Sequence, residues 1–162
     1  GTLSSVFTLT NLPDQPAQGI FTSIPSLTTP GRFGLFYSGS SYTESARDAW
    51  IYGLQQNSTS RTNLAVVNAA VTNSPIRVRL EIYNGDTGTL VTRQDLGLYQ
   101  PNEWRQIDRV LTTYAPGVTN GYARLTVTEG DGTFFAYGVN NDGPAPGTGT
   151  SDGSYVAMVV SQ

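Results

Sequence analysis

The chain contains no cysteine, no histidine and no lysine, and its nine basic residues are all arginine. Each absence closes a chemistry. Without His or Cys there is no Ser/His/Asp or Cys/His nucleophile system, no thiol redox couple and no zinc site of the usual nitrogen or sulfur kind. Without Lys there is no Schiff base and no phosphate-loop lysine. Charged residues are scarce too, 13% of 162, so Thr, Ser, Asn and Gly carry the solubility. Long apolar runs are missing: stretches such as 64–67 and 156–160 fall far short of the roughly 20 residues that cross a bilayer. No membrane insertion is expected. A net charge of -3 gives none of the clustered cations that release phosphate counterions, so nucleic acid is not an expected partner. The chain opens at Gly1 with no charged and apolar leader, which reads as a processed form or a fragment.

What is abundant is turn chemistry, with 18 Gly and 9 Pro. These residues break helices and punctuate strands. Between them, apolar and polar residues alternate in short blocks, the period of half-buried strands. In 76–83, Ile76, Val78, Leu80 and Ile82 face one way and Arg77, Arg79, Glu81 and Tyr83 the other. Asn84, Gly85, Asp86, Thr87 and Gly88 then form a turn and 89–93 resumes strand character, so a hairpin is predicted. A second hairpin is predicted from 122–128, a turn at 129–132 and 133–139, with Ala123, Leu125 and Val127 facing a core. Further strands are expected at 20–24, 32–37, 49–54, 62–67, 105–110 and 155–160. Only 43–48 suits a helical turn, and nothing resembles the helical crossovers of a parallel sheet. The expected fold is therefore all-β: a single-domain antiparallel β-sandwich over residues 1–162, Ig-like or jelly-roll-like, with about ten short strands. Residues 1–19 read as an N-terminal strand and loop, and 140–153 as a long Gly/Pro-rich loop, a length that usually marks function or disorder.

Several short motifs carry a resemblance. They are Arg61-Thr62-Asn63-Leu64-Ala65-Val66-Val67-Asn68, Trp104-Arg105-Gln106-Ile107, the segment 121–127, Phe135-Ala136-Tyr137, Asn141-Asp142 and the segment 151–156. Together, over about residues 20 to 160, they resemble a β-sandwich accessory module that recurs, often C-terminally, in large secreted bacterial proteins. The resemblance implies a non-catalytic role and an extracellular or cell-surface setting, and it brings no catalytic residues with it.

Two resources remain for binding. Exposed tyrosines and tryptophans on a sheet face can stack on the apolar C–H face of a sugar while Asn, Asp, Gln or Arg bonds its hydroxyls. Tyr83, Tyr99, Trp104, Tyr122 and Tyr137 are the candidates, whereas Trp50 is expected to fill core volume. Asp131, Asp142 and Asp152 lie in Gly-rich loops where, with loop carbonyls and Asn140 or Asn141, they could supply the six to eight oxygens that Ca²⁺ prefers. The plain alternative is that they are turn residues bonding their own backbone. No other cofactor is expected. Arg61 and Arg124 suit either a bidentate carboxylate or a structural Arg–Asp bridge. Asn57-Ser58-Thr59 is a glycosylation acceptor only in a eukaryotic secretory setting.

A carboxylate pair drawn from Glu44, Glu81, Glu103, Glu129 and the aspartates would permit glycosidase chemistry, but no spacing singles one out. Arg77, Arg79 and Glu81 read as a solvated strand face with cross-strand pairing. The leading functional expectation is a non-enzymatic binding module for glycan or another surface polymer within a larger secreted protein. The alternative is a spacer or self-assembling unit in which residues 1–11 add a strand to a sheet edge.

Overall fold

The computed structural model describes residues 20–25, 32–37, 42–145, 148 and 152–161. The expected N-terminal strand and loop, residues 1–19, lie outside the described residues, as does part of the 140–153 loop. In chain order the strands are β1 (Ile20–Pro25), β2 (Arg32–Tyr37), β3 (Asp48–Gln55), β4 (Ser60–Asn68), β5 (Ile76–Asn84), β6 (Leu90–Tyr99), β7 (Trp104–Ile107), β8 (Asn120–Glu129), β9 (Phe134–Asp142), β10 (Gly153–Ala157) and β11 (Val159–Val160). A 3₁₀ turn, Tyr42–Glu44, precedes β3, and one short helix, α1 (Val110–Tyr114), separates β7 from β8.

The strands make two antiparallel sheets, a four-stranded one in the order β10-β9-β4-β7 and a five-stranded one in the order β11-β3-β8-β5-β6. β1 and β2 pair with each other, and β2 runs beside β10. The fold is thus the antiparallel β-sandwich expected from the alternation.

Its core follows directly from that alternation. Ile76, Val78, Leu80 and Ile82 of β5, Ala123 and Leu125 of β8, and Ala49, Ile51 and Leu54 of β3 face Leu64 and Val66 of β4 and Phe134 and Ala136 of β9, all buried between the sheets. Each fully buried branched or aromatic side chain contributes about 1.5–3 kcal/mol. Val110 and Leu111 of α1 are buried against the same core.

Three local expectations are corrected. The predicted second hairpin does not form, because β8 belongs to the five-stranded sheet and β9 to the four-stranded one. Both edges of β8 are already taken, by β3 and β5, so β9 has no edge of β8 to pair with. The segment between them crosses the sandwich instead. Gly130 takes φ +87 there, and a Cβ on it would collide with the Pro75 carbonyl oxygen. The Arg47 guanidinium donates to the Gly130 and Gly132 carbonyls at 2.8 and 3.0 Å, fixing the crossing.

The strand expected over 105–110 ends at Ile107, and the chain turns into α1 through Arg109 at φ 44. The Arg109 N–H donates to Asn63 Oδ1 at 3.0 Å, a tertiary anchor that local sequence does not announce. The helical turn expected at 43–48 is instead the 3₁₀ turn Tyr42–Glu44, and residues from Asp48 onward are strand.

Candidate functional site

Successive strand residues point to opposite faces of a sheet. On β3, Ala49 and Ile51 are fully buried, which turns Asp48, Trp50 and Tyr52 to the outer face of the five-stranded sheet. Strict alternation would then send Leu54 outward. A bulge between Ile51 and Leu54, with Gly53 at φ +72, resets the register and returns Leu54 to the core. β8 and β5 add Tyr122, Arg124 and Thr126, and Tyr83, Glu81 and Arg79, to the same outer face.

The pairing aligns these residues in rows across the sheet. One row is Trp50, Arg124, Glu81 and Arg93; beside it runs Asp48, Thr126, Arg79 and Asp95; on the other side Tyr122 lies opposite Tyr83.

Four aromatic rings are brought into one cluster by this register. Tyr83 and Tyr122 stack with centroids 5.1 Å apart and planes 2° apart. Trp50 lies 5.5 Å from Tyr83, 5.9 Å from Tyr122 and 6.2 Å from Tyr52. Tyr52 is 5.7 Å from Tyr122. Aromatic pairs at such distances are worth about 0.5–1.5 kcal/mol each. The cluster is not a core: Tyr52 is 49% exposed, and Trp50, Tyr83 and Tyr122 are half-buried.

A polar network borders the rings. Arg124 holds Asp48 through Nε at 3.0 and 3.1 Å and Nη2 at 2.5 Å, and its guanidinium lies 5.5 Å from the centre of the Trp50 ring. That hydrogen bond holds the Asp48 carboxyl below its usual range, against the opposing effect of burial. Glu81, only 4% exposed, accepts from Arg93 Nε at 2.6 Å and from the Tyr83 hydroxyl at 3.2 Å. Burial alone pushes Glu81 upward, but the Arg93 and Tyr83 hydrogen bonds and the charges of Arg79 and Arg93 outweigh it, so its pKa is lowered. Burial first, and then the Glu81 charge, push the Tyr83 phenol up. Glu81 is therefore a covered anion held by Arg93 and Tyr83, where the sequence suggested an open solvated face.

Of the aromatics singled out from sequence, Tyr83 and Tyr122 are placed together on this face. Tyr99 is corrected: at 1% exposure it belongs to the core, where burial pushes its hydroxyl up to about 12. The Arg105 guanidinium lies 4.3 Å above its ring. Trp104 and Tyr137 meet on the outer face of the other sheet, where the Trp104 indole N–H donates to the Tyr137 hydroxyl at 3.2 Å. Tyr155 packs 5.6 Å from Tyr137.

Two cluster members escaped the sequence reading. Trp50 is corrected from core to outer face, and Tyr52 was not singled out. The signal was present, because the inward-facing Ala49 and Ile51 fix both by period two.

The three candidate calcium ligands do not form one site. Asp142 and Asp152 line a shared polar depression with Gln55, Ser60, Asn140, Asn141 and Ser154, and the Asp142 N–H donates to the Asp152 carbonyl at 2.8 Å. Asp131 follows β8 at the opposite end of β9, about 30 Å of strand away. Among the described residues no three His, Cys, Asp or Glu side chains are grouped to hold a metal ion. Arg61 spends Nη1 on the Asp142 and Gly143 carbonyls, while Arg124 forms the structural Asp bridge. Asn57 serves the β3–β4 turn, its Oδ1 accepting from the Thr59 and Ser60 N–H groups at 2.9 Å. Glu103 and Glu129 pair with Arg105 and Arg77.

No protein-family model matches the chain, and no curated protein matches it. Among solved structures, the crystal structure of Thermotoga maritima 1070 superimposes with a TM-score of 0.51 at 10% identity, covering 71% of this chain and 93% of that one. At that identity the likeness concerns the fold alone.

Proposed function

We propose that the chain is a non-catalytic, extracellular glycan-binding module of a larger protein, and that it holds polysaccharide on the outer face of the five-stranded sheet. The observation that supports this reading is the contiguous cluster of Trp50, Tyr52, Tyr83 and Tyr122 beside a row of arginines and carboxylates. Rings offer apolar contact to the C–H faces of sugars, and the bordering guanidinium and carboxylate groups offer bonds to hydroxyls. The ring pairs stabilise the sheet, yet they leave a contiguous apolar surface partly in solvent, and clustered apolar surface of this kind marks interaction sites.

Retention on a panel of insoluble and gel-embedded polysaccharides tests the reading. Native protein is retained by at least one polymer. Trp50→Ala and Tyr52→Ala each weaken retention about three- to tenfold, the factor that loss of one aromatic contact implies. Trp104→Ala, on the other sheet, leaves it unchanged. A panel with no retained polymer, or equal loss in all three variants, overturns the assignment. The alternative of strand-addition assembly rests on residues 1–11, which lie outside the described residues.

A further inference from the structure

The outer face of the five-stranded sheet carries Arg77, Arg79, Arg93 and Arg124, and three of them are occupied. Arg77 pairs with Asp95 at 2.9 Å and Glu129 at 3.1 Å, Arg93 with Glu81 at 2.6 Å, and Arg124 with Asp48 at 2.5 Å. Arg79 differs. Its nearest carboxylate oxygen among the described residues is Glu81 Oε1 at 3.8 Å, outside hydrogen-bond range, and that oxygen already accepts from Arg93. Among the described residues Arg79 Nε is shielded from solvent and has no hydrogen-bond partner. The hydroxyl of Thr126, its cross-strand neighbour, is in the same condition. Among the described residues, one cross-strand pair thus holds a guanidinium with only a long ion pair and a hydroxyl with no hydrogen-bond partner, on a face where Arg77, Arg93 and Arg124 each have a carboxylate within about 3 Å.

A guanidinium has five donors and no acceptor, and its fork fits a carboxylate bidentately. The Arg79 side chain is 41% exposed, so an incoming anion can reach it. Arg79 stands one row from the Trp50–Arg124–Glu81 row, about 7 Å along the strands, on the same face as the rings.

We propose that the glycan bound by this face is acidic, and that Arg79 receives the carboxylate of a uronic acid residue while the aromatic cluster holds adjoining sugars. The inference rests on the glycan reading of the platform and adds the ligand's charge. Because the chain as a whole is anionic, at -3, recognition of the acid comes from this short-range contact and not from long-range attraction.

The test uses uronate polymers such as polygalacturonate, alginate and glucuronoxylan, each beside its carboxyl-reduced neutral counterpart. Native protein binds at least one acidic polymer about tenfold more tightly than its reduced form, the factor of one charge-assisted hydrogen bond. Arg79→Gln loses that tenfold on the acidic polymer and nothing on the reduced one, whereas Arg77→Gln changes neither. Equal affinity for acidic and reduced polymers overturns the proposal without any variant. Full acidic-polymer affinity in Arg79→Gln overturns it as well. In both cases the platform reading survives if Trp50→Ala still weakens retention about three- to tenfold. If no polymer of either kind is retained, the platform reading falls and this inference falls with it.

Discussion

Glu81 offers a stringent test of the outer-face electrostatics, because it is a covered carboxylate on a face that water reaches elsewhere. Glu81→Gln preserves shape and removes only charge. The new amide oxygen can accept from Arg93 Nε and the amide nitrogen can donate to the Tyr83 oxygen, so the two hydrogen bonds seen at 2.6 and 3.2 Å keep partners. What disappears is the charge assistance, the difference between about 1.5–3 kcal/mol for a bond to an ion and about 0.5–1.5 kcal/mol for a neutral one. The expected loss is about 1 kcal/mol at pH 7. For a chain of this length that corresponds to a melting temperature lower by about 3 °C.

The pH dependence identifies the cause. The folded pKa of Glu81 lies below its ordinary value of 4.5. Above that value both folded and unfolded Glu81 are ionised, and the stabilisation is fully present. As pH falls through the lower folded value the folded carboxylate takes up its proton, and the stabilisation is lost. The gap between native protein and Glu81→Gln should therefore be open at pH 7 and narrow progressively as pH is lowered below 4.5, whatever the other carboxylates do to both proteins. Urea unfolding over a series of pH values measures it. Equal stability of the two proteins at pH 7, or a gap that does not narrow as the carboxylates are protonated, would refute the account of Glu81 as a stabilising covered anion.

Two further substitutions probe the parts of the fold that present the face. Tyr99→Ala should cost about 3–5 kcal/mol in urea unfolding, since it empties a fully buried aromatic site, yet leave polysaccharide retention intact in the folded fraction; a loss below about 1 kcal/mol would return Tyr99 to the surface. Gly130→Ala should lower the melting temperature by more than Gly117→Ala. Both sites have positive φ, +87 and +91, but only at Gly130 does the added Cβ meet backbone, whereas nothing lies within 4 Å of it at Gly117. Equal effects of the two changes would show that backbone conformation, and not the crossing's close packing against Pro75, sets the cost.

The architecture was legible in the sequence where alternation is strict and both flanks carry turn residues. β5 follows the expected faces residue by residue, because period two fixes which side chains are buried, and its expected hairpin with β6 forms. The same rule places Trp50 outward, since Ala49 and Ile51 claim the inner face. The competing generalisation, that a tryptophan in a sandwich fills core volume, is statistical and yields to register. What local pattern does not contain is sheet membership. The 129–132 turn carries hairpin-like residues, yet β8 finds both its edges occupied and β9 joins the opposite sheet. That outcome depends on pairings with β3 and β5, set 40 or more positions earlier. The wide separation of Asp131 from Asp142 follows from the length of β9, Phe134–Asp142, which lies between them, and so does the failure of the three aspartates to share a site. Arg79 and Glu81 are two positions apart on one strand, yet only neighbouring strands determine that Glu81 is covered by Arg93 and that Arg79 is left over.

The two faces of the five-stranded sheet separate stability from recognition. Its inner face supplies aliphatic side chains that are fully out of solvent, and their burial holds the sandwich together. Its outer face places tyrosines and a tryptophan where each ring buries only part of its surface against the others. An antiparallel sheet can leave one face in water, and polar side chains suffice for that role, as Arg93 and Asp95 of β6 illustrate. Aromatic rings concentrated on β3, β5 and β8 add stacking worth about 0.5–1.5 kcal/mol per pair but keep an apolar patch in contact with solvent, a liability for a chain with only 13% charged residues. Because the rings lie outside the core, Trp50→Ala opens no internal cavity, and its cost in stability should stay near that of its lost ring contacts. Binding can therefore be removed from this face while the fold remains.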